Sequence, residues 1–125
     1  MDWVIQIGLI ELAIGGLLGW AMVMRQETPD LLRRIGVVAP QRIRQVHLDY
    51  VMMGLILIGV GLAVPDLPTA IAVALVFGTL VNPFLFVPLA FDPDTESRLW
   101  YRSLAVVSFV GVSGGLVAAA IVGPG

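Results

Sequence analysis

The stretch Arg-Gln-Val-His-Leu-Asp-Tyr-Val-Met-Met-Gly, residues 44 to 54, runs without a break into Leu-Ile-Leu-Ile-Gly-Val-Gly-Leu-Ala-Val, residues 55 to 64. An apolar run over 46–64, close to the ~20 residues that cover a hydrocarbon core, reads as a membrane-spanning helix. It carries the only histidine of the chain just inside its first turn. If residues 41–64 form one helix, then His47, Tyr50, Val51 and Gly54 share a face by the three- and four-residue spacing of helical neighbours. A neutral imidazole is a good ligand for haem iron and for zinc, copper or nickel. Gly54, one turn past Tyr50, predicts room for something flat close to the helix. The competing reading is an ordinary interfacial polar residue at the membrane boundary.

Outward from this stretch the same pattern repeats. Of 125 residues, 58% are hydrophobic and 13% charged, and the mean hydropathy is +0.97, a balance that belongs to an integral membrane protein. Four apolar runs are predicted as spans: residues 3–24, 46–64, 69–91 and 100–122. The expected fold is therefore an all-α membrane four-helix bundle forming one domain over residues 1–125. The first run lacks a basic leading segment and is longer than a signal-peptide core, so it is expected to remain as the first helix. With no cysteine, disulfides, iron–sulfur clusters and thiolate ligation of zinc or haem are excluded. A net charge of −2 gives no ground for a nucleic-acid partner. All seven basic residues are arginine, which together with the Ala, Gly and Val content suggests a bacterial source.

Glu11 lies deep in the first run. An ionised carboxylate facing lipid there costs at least ~2.5 kcal/mol, so Glu11 is expected to face the bundle interior, with the Thr79 hydroxyl and the Asn82 amide as partners. Gly15 and Gly19 in the first run, and Gly111 and Gly115 in the fourth, stand at the spacing that lets helix backbones approach closely in lipid. Pro83 removes one backbone hydrogen bond and frees the Thr79 carbonyl, which predicts a bend in the third span. By depth, Asn82 is expected level with Gly54, and Phe86 level with Tyr50, lining one cavity between the second and third helices.

Residues 25–45 form the one substantial loop, with Leu31, Leu32, Ile35 and Val38 spaced for a short amphipathic helix on the membrane surface. Every arginine falls in the first or the third loop. The positive-inside rule then predicts that both loops are cytoplasmic and both termini outside, in a bacterial inner membrane.

The string Arg44, His47 and Met52-Met53-Gly54 in the second run, followed by Gly78 and Asn82 in the third, resembles the small four-helix membrane family of styrene oxide isomerase and hydroxylaminobenzene mutase. The resemblance covers most of the four-helix body, through short and degenerate motifs. It implies haem b with His47 as axial metal ligand, and Tyr50 and Gly54, which share its helix face, are then expected beside the cofactor. It also implies a trimer, and ferric iron acting as Lewis acid on the oxygen of a small aryl epoxide, with Asn82 and Tyr50 as catalytic residues. Three positions depart from the isomerase pattern, which has asparagine at Met53, aspartate at Gly78 and tyrosine at Phe86. Two alternatives stand beside the isomerase: a haem protein for redox chemistry or sensing, and a cofactor-free subunit whose helices pack against partners.

Overall fold

A computed structural model describes residues 2–125 and consists of helices and short turns. The first helix, α1, spans Asp2–Glu27, and a six-residue helix, α2, spans Pro29–Arg34. Next come α3 (Gln41–Ala63), α4 (Thr69–Phe84) and α5 (Phe86–Phe91), then a 3₁₀ turn over Pro93–Ser97 and α6 (Leu99–Val122). Four stretches are long and apolar enough to cross a membrane: α1, α3, α4 with α5, and α6. Large apolar side chains such as Leu17, Trp20, Leu62, Phe109 and Ile121 lie on the outer surface. Water would not tolerate so continuous an apolar exterior, and lipid does. The chain is a multi-pass helical membrane protein.

Two tightly packed helix pairs, α1 with α3 and α4 with α6, are joined where α3 lies against α4 and α5. Glycine builds both seams. A methyl group added at Gly8 would stand 2.9 Å from the Gly54 carbonyl oxygen, and one at Gly15 would stand 3.0 Å from the Val51 nitrogen. From the other side, a methyl at Gly54 would meet the Gly8 carbonyl oxygen at 2.7 Å, and one at Gly61 would meet Ile5. The contacts fall seven residues apart on each helix, two turns along one face. The α4–α6 seam is as close, since a side chain at Gly78 would collide with the backbone of Ser108 and Val112, and one at Gly111 with the Ala74 carbonyl. Such approach is how helices gain van der Waals contact in lipid, where no hydrophobic force draws them together.

The first and third loops lie at one end of the bundle. The backbone N–H groups of Val38 and Ala39 both donate to the Ala90 carbonyl, at 2.8 and 3.0 Å. Arg42 reaches Glu96 at 3.6 Å. All seven arginines therefore cluster at this end. The opposite end is closed by the short link Val64–Pro68, whose Val64 and Leu67 side chains are buried in an apolar cluster with Val4, Leu57 and Leu75.

The third span breaks at Leu85, between α4 and α5. Pro83 and Pro88 remove two amide donors, which leaves carbonyls without helical partners. Two tyrosines supply hydroxyls to this region. Tyr50 of α3 donates to the Leu80 carbonyl at 2.9 Å, and Tyr101 of α6 donates to the Leu85 carbonyl at 2.7 Å.

Candidate functional site

The polar side chains inside the bundle come from α1, α3, α4 and α6. His47 is half-buried and lies over the glycine face of α1. Its Nδ1 stands 2.5 Å from the Gly15 carbonyl oxygen. A carbonyl only accepts, so Nδ1 carries a proton, and in the neutral ring Nε2 is then the nitrogen with the lone pair. A backbone carbonyl on one imidazole nitrogen is the usual arrangement behind a metal-binding histidine, because it fixes the ring and raises the basicity of the other nitrogen. One turn further along α1 at Gly19, a methyl group would meet only the imidazole Cε1, at 3.6 Å, and one at Gly16 would meet nothing within 4 Å. The space beside the imidazole is therefore over Gly19, whereas Gly16 faces outward.

Gly54 does not provide it. Its missing side chain admits the backbone of α1 at Gly8 and Leu12, so the gap expected there for a flat ligand is filled by a neighbouring helix. Tyr50 is buried with its hydroxyl committed to the Leu80 carbonyl. Asn82 is half-buried and faces α6. The Ser108 hydroxyl lies 3.4 Å from its Oδ1, long for such a donor, whose shorter contact is the Ala105 carbonyl at 3.0 Å. Asn82 thus does not share a cavity with Gly54 and Tyr50, because α4 is wedged between two helices and this edge of it turns to α6. Met53 is buried in α3. At Gly78 the close approach of α6 leaves no room for any side chain.

Glu11 is fully buried and accepts from the Thr79 hydroxyl at 2.9 Å, the pairing expected from depth in the membrane. The second expected partner, Asn82, is turned away, and Glu11 Oε1 has no hydrogen-bond partner. The same hydroxyl lies 3.0 Å from the Val76 carbonyl. Thr79 has one proton for two acceptors. If Glu11 is protonated, its O–H donates to Thr79, whose own proton is free for Val76.

Asp49 is the residue that sequence alone passed over. It lies in α3 two positions after His47, and its Oδ2 is buried without a partner. The signal was present in the sequence, since a carboxylate inside an apolar span is a functional candidate by default.

Among the described residues no three His, Cys, Asp or Glu side chains gather into a protein-only metal site. His47 can still serve a metal that brings its other donors with it, as haem does through its ring nitrogens. Compared with family models, curated proteins and solved structures, the chain matches none. Its class rests on the fold, a four-span helical membrane protein with one oriented imidazole and a buried carboxyl at Glu11.

Proposed function

We propose that the chain binds haem b in the membrane, with His47 Nε2 as the axial ligand. One observation carries this reading: the Gly15 carbonyl accepts from His47 Nδ1, which orients the ring and makes Nε2 the nitrogen that the neutral tautomer offers to a metal. One imidazole is all that the protein need supply to haem, and the space over Gly19 supports an approach from the α1 side in place of Gly54. His47 holds the iron, Gly15 orients His47, and Gly19 keeps the imidazole edge clear.

A bound ferric haem supplies Lewis-acid chemistry. By resemblance to styrene oxide isomerase and hydroxylaminobenzene mutase, the substrate is a small aryl epoxide or a related aromatic, rearranged within one molecule. The redox or sensing alternative draws support from a specific observation. Tyr50 is engaged with Leu80 and Asn82 faces α6, so neither lies free beside His47 to orient a substrate. Haem binding is common to both readings. The resemblance also implies a trimer, and the arginine distribution favours a cytoplasmic position for the loop end in a bacterial inner membrane.

Oxidised and reduced absorption spectra of the detergent-purified protein, expressed with adequate haem supply, test this function. Wild type is expected to show a Soret band. The band should be lost or grossly shifted in His47→Ala, with helical content by circular dichroism unchanged. A colourless wild type would favour the cofactor-free subunit, and an unchanged spectrum in His47→Ala would remove His47 as the ligand.

A further inference from the structure

We propose that the arginine-bearing end of the bundle holds one anionic phospholipid, with its phosphate between Arg25 and Arg33 and an acyl chain in the adjoining apolar slot. Two hollows meet there. A groove of about 540 Å³ is lined by Arg25, Pro29, Arg33 and Val38. Beside it, a slot of about 230 Å³ between α1, α2, α3 and α5 is lined by apolar side chains alone, among them Leu18, Met24, Val46 and Phe91. Leu32 and Val37 border both hollows, and both are buried. The combined shape has a cationic end at the level of the loops and an oily end among the helices. That is the polarity of a lipid seated in its own leaflet.

The charges favour an anion over a zwitterion. Among the described residues Arg25, in the last turn of α1, has no carboxylate within ion-pair distance. Arg33 meets only Asp30, at 3.1 Å, with both side chains at least 73% exposed. An exposed pair of that kind contributes little and yields readily to a phosphate, which a guanidinium can bind through two parallel N–H groups. A headgroup with a balancing ammonium would gain less from two arginines. A free phosphate would leave the slot empty.

Native mass spectrometry of the full chain in detergent tests the proposal with phosphatidylglycerol and phosphatidylcholine of matched acyl chains. Phosphatidylglycerol should be retained preferentially. Arg25→Gln and Arg33→Gln should each reduce that preference about fivefold, the weight of one basic residue beside an anionic surface. Both arginines lie at the membrane edge outside the helix seams, so the fold should survive. Ile35→Asp, at an exposed residue lining the slot, should lower retention of both lipids. Equal retention of the two lipids by wild type would overturn the proposal, as would a preference unmoved by the arginine substitutions. Displacement of the lipid by excess inorganic phosphate would also overturn it, showing a free-anion site.

Discussion

Glu11 shows how a single side chain ties two helices together in lipid. Its carboxyl is fully buried and joins α1 to α4 through Thr79. Interhelical hydrogen bonds in membranes contribute about 0.6 kcal/mol on average and up to about 1.7. A double-mutant cycle of Glu11→Ala and Thr79→Val, read by thermal or denaturant unfolding in detergent, should therefore give a favourable coupling in that range. Glu11→Gln should keep most of it, since an amide can still exchange a hydrogen bond with the hydroxyl. A coupling of zero would mean that the two groups meet without holding each other. This pairing was legible in the sequence because both residues lie mid-span, where a polar group must find an internal partner. The absence of Asn82 from the pair was not legible. Helical spacing puts Thr79 and Asn82 near one face, but only packing tells that one edge of that face meets α1 and the other α6.

At the scale of elements, the broken third span is the clearest case of sequence dictating a need without naming what fills it. Pro83 and Pro88 free the carbonyls of Thr79 and Phe84, and the bend was expected from Pro83. That Tyr50 and Tyr101 reach across from α3 and α6 to Leu80 and Leu85 depends on helix order and rotation, which no local pattern encodes. Tyr50→Phe and Tyr101→Phe should each destabilise the fold by about 1 kcal/mol, the net worth of one hydrogen bond. In a Pro83→Ala background, α4 regains a backbone donor and straightens. That donor belongs to the Thr79 carbonyl, next to the Leu80 carbonyl that Tyr50 serves, so the costs of Tyr50→Phe and Tyr101→Phe should be the same in both backgrounds. Unfolding of the single and double variants in detergent measures both. A smaller cost of Tyr50→Phe in the Pro83→Ala background would mean that its hydroxyl serves the proline break as well as Leu80.

For the whole molecule, four helices were legible because each apolar run has the length of a membrane crossing, and the loop spacing put all arginines at one end. What the glycines do was half legible. The spacing of Gly15 with Gly19 and of Gly111 with Gly115 marks small-residue faces, which sequence alone offers equally to a neighbouring helix or a neighbouring subunit. Gly8, Gly15, Gly54, Gly61, Gly78, Gly111 and Gly115 are all consumed by seams within the chain. Gly16, Gly59 and Gly114 face open space, so an assembly of copies that uses close helix approach must use these. The two sets predict opposite outcomes. Gly54→Leu drives its side chain into the α1 backbone at Gly8 and Leu12, and overpacking of that kind costs about 1–3 kcal/mol or more. It should separate α1 from α3, lower thermal stability and scatter the His47 site with it. Gly16→Leu and Gly114→Leu should leave the folded chain intact, and if the trimer forms through these faces they should reduce its mass in native-like detergent to that of one chain. A trimer that survives both outward substitutions would place the contact between copies on the larger apolar side chains of the outer surface, away from any glycine.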